Sequence, residues 1–172
     1  MFNRKEKPQT QQAPDVTDAY RRLTALCARS EHCQYDMLEK MRQWGMDDAS
    51  QAEVMERLVA GRYVDDARYA AAFVRDKVVY NRWGRRKVEQ ALWQKHINEQ
   101  VVREALDAIP DEDYVETLRP LLAQKRRSIT ARNEYERNMK LMKWAMGRGF
   151  SMEVIRQCID VSDEDDTNEF LD

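Results

Sequence analysis

The sequence predicts an all-α protein built from three tandem three-helix repeats. Apolar residues recur at three- and four-residue steps, and the sustained apolar–polar alternation that is typical of strands is missing. Glycine and proline occur only as punctuation between the periodic stretches. Of the 172 residues, 42% are hydrophobic and 35% are charged, which is enough apolar material for a core under a heavily charged surface.

The apolar stripes predict nine helices. In the second, for example, Met37, Met41 and Trp44 fall on one helical face. The predicted helices cover residues 18–29, 34–44, 50–60, 66–80, 84–95, 98–107, 112–127, 132–147 and 151–160. Asp65 and Asp66 stand where an N-cap and a first-turn acid are expected. The expected left-handed residues that end helices are Gly45, Gly61, Gly84 and Gly149.

A repeat of about fifty residues organises these helices. Met37-x3-Met41-x3-Gly45 recurs at offsets of 51 and 53 residues, as Val88-x3-Leu92-x3-His96 and Leu141-x3-Ala145-x3-Gly149. The pattern predicts repeats over residues 17–61, 62–110 and 111–160, between a polar arm (1–16) and an acidic tail (161–172), both expected to be disordered. An array of small units presents a long surface, so the pattern favours binding over enclosed chemistry.

Catalytic and metal-binding patterns are hard to find. His32 lies far from His96, which is expected at a helix C-terminus. Cys27, His32 and Cys33 lack a fourth ligand at zinc spacing, and Cys27 lies on an apolar stripe. No glycine-rich phosphate loop is present, and the Asp65–Asp66 pair fits a helix cap better than a catalytic carboxylate pair. We expect no enzyme, no metal and no cofactor.

Charge is distributed unevenly along the chain. The formal net charge is −2, but residues 160–172 hold seven acids and no base, so the preceding residues carry +5. Residues 75–103 hold eight bases against three acids, and residues 119–148 hold nine against two. A basic body predicts a polyanionic or acidic partner, and solvated helix faces are the alternative. The tail could fold back on the basic face or simply aid solubility.

Two basic runs are the candidate partner-binding residues. The first basic run comprises Arg75, Lys77, Arg82, Arg85, Arg86 and Lys87. The second basic run comprises Lys125, Arg126, Arg127 and Arg132. Tyr80 and Trp83 interleave with the first run, where they could stack on a base or pack against a partner. Backbone N–H groups at the helix start near Gly84 are expected to be free for an anion. The alternative is a solvated basic face with Trp83 packed.

Three segments resemble the RecX family of bacterial regulators of the RecA recombinase. The most specific is Gly61-Arg-Tyr63-Val-Asp65-Asp66-Ala-Arg68-Tyr69-Ala-Ala-Ala-Phe73-Val-Arg75. Supporting segments run from Trp83-Gly84-Arg85-Arg86-Lys87 to Lys95-His96-Ile97, and from Arg148-Gly149-Phe150-Ser151 to Val154-Ile155. The similarity covers residues 17–160. Cys33 stands where the family usually has a helix-capping Ser, Asp36 replaces a Glu, and His96 replaces a Gly.

The resemblance implies three three-helix repeats in an elongated, curved array that lodges in the groove of the RecA filament. It implies inhibition of strand exchange, ATP hydrolysis and filament extension, within DNA repair, recombination and the SOS response, and some members bind DNA. The signature residues are expected to be mainly structural: Gly61, Tyr63, Asp65, Asp66, Tyr69 and Phe73.

The leading interpretation is a cytoplasmic, monomeric RecA regulator. Neither a signal peptide nor a membrane-spanning run is expected, and three irregularly spaced cysteines favour a reducing compartment. A helical module that binds single- or double-stranded DNA independently of RecA is the alternative. A structural adaptor that recognises another protein is a third.

Overall fold

The computed structural model describes residues 12–159, which form nine α-helices and no strand. The helices are α1 (Val16–Cys27), α2 (Gln34–Gln43), α3 (Asp48–Ala60), α4 (Asp66–Val79), α5 (Arg85–Gln94), α6 (Glu99–Asp107), α7 (Asp111–Ser128), α8 (Glu134–Gly147) and α9 (Met152–Cys158). The all-helical prediction is confirmed, and predicted helix ends differ from these by at most two residues. The acidic tail and most of the N-terminal arm lie outside the described residues.

The start of α4 serves two helices. The Oδ1 atom of Asp65 accepts a hydrogen bond from the Arg68 N–H at 3.0 Å, which confirms Asp65 as an N-cap. Asp66 reaches the start of α2 instead, where its Oδ1 accepts from the Gln34 N–H at 2.9 Å. Cys33, the N-cap of α2, makes no side-chain cap bond. The carboxylate of Asp66 therefore supplies part of what a capping serine would have supplied. Burial raises the pKa of this carboxyl group.

Helices α2, α5 and α8 end in the same way. Each is followed by a residue in the left-handed conformation, with φ of +73° at Gly45, +54° at His96 and +93° at Gly149. The next N–H then donates to a carbonyl five residues back, as in the Schellman motif. These bonds are Met46 to Met41 (3.1 Å), Ile97 to Leu92 (3.4 Å) and Phe150 to Ala145 (3.2 Å). The prediction that His96 occupies a helix C-terminus is confirmed.

Two predicted left-handed glycines are not left-handed. Gly61 has φ of −77° and Gly84 has φ of −76°, so those predictions were wrong. The left-handed residues nearby are Arg62 (φ 57°) and Arg82 (φ 53°). Gly61 has a different requirement, because a Cβ there would lie 2.9 Å from Cδ2 of the Tyr63 ring. Close approach, rather than φ, is what needs a glycine at this position.

The helices form two compact units, one ending at Tyr69 and the other beginning at Ala70 within α4. In the first unit, α1 and α2 pack on α3. Its core consists of Ala19, Leu23, Met37, Met41, Met46, Val54, Met55, Leu58 and Val64. In the second unit, α5 packs on α6, and α7, α8 and α9 pack on one another. Its largest fully buried side chains are Leu92, Leu106, Tyr114, Leu118, Leu141, Phe150 and Ile155.

Helix α8 keeps an apolar stripe at its surface. Tyr135 is 67% exposed, Met139 45% and Met146 47%, and their spacing places them on one helical face. Met37 and Met41 are fully buried in the core, whereas Met139 and Met146 are exposed. The expectation of a monomer assumed that no apolar stripe is left over, and α8 does not meet that assumption.

Candidate partner-binding surface

The turn between α4 and α5 places two cations on one aromatic ring. The Nζ atom of Lys77, on α4, lies 5.0 Å from the centroid of the Trp83 ring, and that of Lys87, on α5, lies 4.4 Å from it. Within residues 12–159 neither lysine makes an ion pair. The negative face of the indole ring offsets part of the repulsion between the two ammonium groups. The turn therefore holds a local concentration of positive charge.

Backbone atoms hold this turn against the turn between α8 and α9. The Gly84 N–H donates to the Arg148 carbonyl at 2.9 Å, and the Arg86 N–H donates to the Gly149 carbonyl at 3.0 Å. A Cβ on Gly84 would lie 2.2 Å from the carbonyl carbon of Gly149. A Cβ on Gly149 would lie 2.4 Å from the Cβ of Lys87. Only glycine fits at both positions, and we call this contact the glycine clamp.

The glycine clamp overturns one expectation about the start of α5. The N–H groups of Gly84 and Arg86 are bonded to carbonyls, so this helix start does not offer them to an anion. Side chains are what this turn presents to a negatively charged group. The Arg148 guanidinium adds to the clamp, because its Nη2 donates to the carbonyls of Asn81 and Arg82, each at 3.3 Å.

The first basic run divides into paired and unpaired residues. Arg85 makes an ion pair with Asp107 at the end of α6. Arg75, Arg82 and Arg86 are exposed and have no acidic partner among the described residues. Tyr80, between them in the chain, is 78% exposed. The available charge of this run therefore comes from Lys77, Lys87 and three arginines, with Arg85 committed to α6.

Two of the four cations in the second basic run are paired with glutamates of α8. Arg126 pairs with Glu134, while Arg132 lies 3.3 Å from Glu136. Lys140 shares Glu136 at 2.8 Å. The hydrogen bond from Lys140, followed by that from the Arg132 N–H, holds the pKa of the Glu136 carboxyl group below its usual value of 4.5. Glu136 therefore stays ionised at neutral pH, and both carboxylates occupy cations that an external anion would otherwise bind.

Two members of the second basic run remain outside these ion pairs. Lys125 has its Nζ 5.8 Å from the centroid of the Trp144 ring. The same ring also carries the Arg148 guanidinium, at 5.3 Å. Arg127 is exposed and has no ion pair within residues 12–159. The positions of these cations were visible in the sequence. Arg148 was also visible as a basic residue, but its hydrogen bonds to the α4–α5 turn were not.

The signature residues make contacts within the chain. The Tyr63 ring meets Tyr20 edge-on at 6.0 Å, and the Arg57 guanidinium lies 4.2 Å from the Tyr20 centroid. Burial is the main cause that raises the pKa of the Tyr69 hydroxyl. The ring of Phe73 has Lys77 at 5.3 Å. Gly61 accommodates the Tyr63 ring, as described above.

The three cysteines are free thiols. Burial raises the pKa of Cys33 to about 11. Across residues 12–159, no group of three or more His, Cys, Asp or Glu side chains is placed to hold a metal ion. No helix in this part of the chain is long and apolar enough to cross a membrane.

The fold and this surface define an all-α protein of short three-helix units with a cationic, aromatic turn. Residues 65–106 match the family model described as the second three-helix domain of RecX, and residues 111–159 match that of the third. The Regulatory protein RecX of Vibrio campbellii is 29% identical over 156 residues, which are 90% of this chain and 97% of that protein. The chain belongs to the RecX family.

Solved structures agree with this assignment at the level of the fold. A crystal structure of regulatory protein RecX superimposes with a TM-score of 0.78 at 23% identity, covering 83% of this chain and 72% of the other. RecX from Lactobacillus salivarius gives 0.76 at 19% identity, covering 84% and 94%. The recurrent helix endings described above therefore belong to a fold that persists at low sequence identity.

Proposed function

We propose that this chain is a non-enzymatic regulator that binds the RecA recombinase filament in the cytoplasm and inhibits its ATPase, strand exchange and filament growth. This role lies in DNA repair, recombination and the SOS response. Family membership supports the choice of partner. The observation that carries the proposal to particular residues is the Lys77–Trp83–Lys87 arrangement with unpaired arginines around it.

The mechanism relies on charge-assisted contacts. Arg82 and Arg86 flank the Trp83 ring in sequence, and neither has an acidic partner among the described residues. A guanidinium group can bind a carboxylate of the recombinase through two parallel hydrogen bonds. Binding such a carboxylate also relieves the repulsion between Lys77 and Lys87. The glycine clamp fixes the turn beforehand, so that little conformational entropy is lost on binding.

The repeat organisation would multiply these contacts. We retain the division proposed from the sequence, with repeats over residues 17–61, 62–110 and 111–160. A filament presents the same recombinase surface many times, and several weak contacts from one chain raise avidity without any one being strong. This arrangement favours inhibition at amounts well below one chain per recombinase protomer.

The direct test is a RecA ATPase assay on single-stranded DNA with the chain titrated in. We expect progressive loss of ATP hydrolysis at substoichiometric amounts. Unchanged hydrolysis at every ratio would contradict the proposal.

A charge-reversal pair tests the surface. Arg82→Glu with Arg86→Glu should raise the concentration needed for half-inhibition about tenfold or more, because two charge-assisted contacts become repulsive. The matched control is Arg29→Glu with Arg156→Glu, which makes the same charge change at two exposed arginines outside both runs. An equal loss of inhibition in the two double variants would indicate a net-charge effect and would show that the turn is not the contact.

Direct DNA binding independent of RecA is the second candidate. The exposed ring of Tyr80 favours it, because such a ring beside unpaired cations can stack on a base. This candidate predicts binding to DNA alone, with log affinity falling linearly as log salt rises. Salt-insensitive or absent binding to bare DNA would exclude it.

A further inference from the structure

A turn in the first unit shares with the α4–α5 turn a left-handed arginine that is followed by an aromatic residue. After α3, Arg62 is left-handed (φ 57°) and is followed by the aromatic Tyr63. After α4, Arg82 is left-handed (φ 53°) and is followed by the aromatic Trp83. Each unit therefore contains one turn with a left-handed arginine directly before an aromatic ring. Arg62, in the first of these turns, stands outside both basic runs.

A second arginine secures the backbone in both turns. The Nη2 atom of Arg68 donates to the Arg62 carbonyl at 3.1 Å and to the Tyr63 carbonyl at 3.4 Å. The Nη2 atom of Arg148 does the same for the carbonyls of Asn81 and Arg82. In each case a guanidinium binds two successive carbonyls at the turn. These contacts add to backbone hydrogen bonds within each turn, from the Tyr63 N–H to the Leu58 carbonyl and from the Trp83 N–H to the Lys77 carbonyl, each at 2.9 Å.

The side chain of Arg62 takes no part in holding the fold. It is exposed, and it has no ion pair within residues 12–159. The left-handed conformation favours glycine, and a residue with a Cβ is strained there. A strained backbone that presents an unpaired guanidinium to solvent is consistent with a functional use of that guanidinium.

The surroundings of Arg62 have the composition of a protein-binding surface. Tyr63 is 40% exposed and Val59 is 43% exposed. Arg57 stacks on Tyr20, which meets the Tyr63 ring edge-on. Tyrosine and arginine are enriched among the residues that dominate binding energy at protein interfaces. An acidic protein surface is the partner that suits this combination.

We propose that the Arg62–Tyr63 turn is a second contact point for the recombinase filament, with the Arg62 guanidinium binding a carboxylate of the recombinase. This inference rests on the proposed function. It assigns a contact to the first unit, where neither basic run lies. The two turns then supply one arginine–aromatic contact from each unit, which is the multivalent arrangement described above.

The Arg62→Gly variant separates strain from binding. Glycine relieves the left-handed strain, so the melting temperature should rise by about 2–4 °C. Loss of the guanidinium should weaken inhibition of the RecA ATPase about tenfold. The control is Arg29→Gly, which removes the same charge. It should neither raise the melting temperature nor weaken inhibition. A stabilised Arg62→Gly chain that inhibits as well as the wild type would overturn the inference.

A second variant keeps the test decisive if Arg62→Gly is less stable than the wild type. Arg62→Asn also tolerates the left-handed conformation and lacks the charge, and it should show the same weakened inhibition. Wild-type inhibition by Arg62→Asn would likewise overturn the inference. If the wild-type chain itself does not inhibit RecA, the proposed function has failed. If it inhibits and only the Arg82–Arg86 charge reversal weakens it, the second contact point alone has failed.

Discussion

The two basic runs are similarly rich in cations but present different surfaces. In the first run, Lys77 and Lys87 lie on Trp83, and Arg82 and Arg86 have no acidic partner within the described residues. In the second run, by contrast, the arginines at positions 126 and 132 are paired with glutamates of α8. The density of cations is almost the same in both segments. What differs is whether the fold brings carboxylates to them.

The difference shows that charge counted along a chain is not charge available to a partner. The α8 glutamates lie within eight residues of the cations they pair with, so these ion pairs are local in the sequence. Exposed ion pairs contribute little to stability, but they compete directly with an incoming anion. The first run lacks such a competitor except at Arg85, which pairs with a residue 22 positions away.

The largest expected effect concerns the glycine clamp, which positions the first run only. Gly84→Ala and Gly149→Ala should each lower the free energy of unfolding by about 2–4 kcal/mol, because the new Cβ would overlap backbone atoms. The control is Gly147→Ala at the end of α8, where no atom lies within 4 Å of the added Cβ. It should be neutral or stabilise by up to about 1 kcal/mol. Thermal and urea unfolding measure the stability of all three variants. A change at Gly147 equal to those at Gly84 and Gly149 would refute the clamp.

The next effect removes the difference between the runs. Glu134→Gln with Glu136→Gln should release Arg126 and Arg132, and raise affinity for a polyanion such as heparin several-fold at low salt. The slope of log affinity against log salt should steepen by the amount expected for about two additional ionic contacts. Fluorescence titration at several salt concentrations measures the slope. Glu153→Gln with Glu116→Gln removes the same charge elsewhere, and an equal gain there would show that pairing is irrelevant.

A smaller effect separates two neighbouring arginines. Arg86→Ala should weaken filament inhibition several-fold and leave stability unchanged, because its guanidinium has no partner among the described residues. Arg85→Ala should do the reverse and cost about 0.5–1 kcal/mol of stability through loss of the Asp107 ion pair. Inhibition assays and thermal unfolding on both variants provide the comparison. Identical behaviour of the two would contradict the division of the first run.

The last prediction is that lowering the pH from 7.5 to 5.5 does not release the cations that are paired with Glu136. Ion pairing lowers the pKa of Glu136 below 4.5, so this carboxylate remains charged as the pH falls from 7.5 to 5.5. Its pairing contribution is present above the unfolded pKa and is lost only as the pH falls through the lower folded value. Affinity of the second run for heparin should therefore not rise in this window. A rise would indicate that Glu136 is protonated more easily than its contacts allow.

The periodic sequence determines most of the fold. Apolar stripes located all nine helices within residues 12–159, and the equivalence of Gly45, His96 and Gly149 is visible both in spacing and in φ. These features are local, since one helical turn and its ending depend on adjacent residues. The same locality explains the errors at Gly61 and Gly84. A glycine required by close approach looks, in sequence, like a glycine required by its φ.

The surface depended on contacts between distant segments and was less predictable. Cations of both runs were visible in the sequence, but the pairing of Arg85 with Asp107 and the clamp between Gly84 and Gly149 join residues 22 and 65 positions apart. The sequence carries no local mark of either contact. Arg62 was overlooked for a different reason, because an isolated arginine has no pattern until the left-handed backbone makes it unusual.

The glycine clamp has a consequence for divergence. It joins two turns mainly through main-chain atoms, so apart from the Arg148 guanidinium the joint depends on two missing Cβ atoms rather than on side-chain identity. Other neighbouring residues can be exchanged through mutation without loosening the joint, provided that both glycines and Arg148 stay. Proteins that share this contact can therefore change their surface residues, and with them the partners they bind, while the two turns keep the same relative position. Relatives would then differ widely in surface charge on a shared frame.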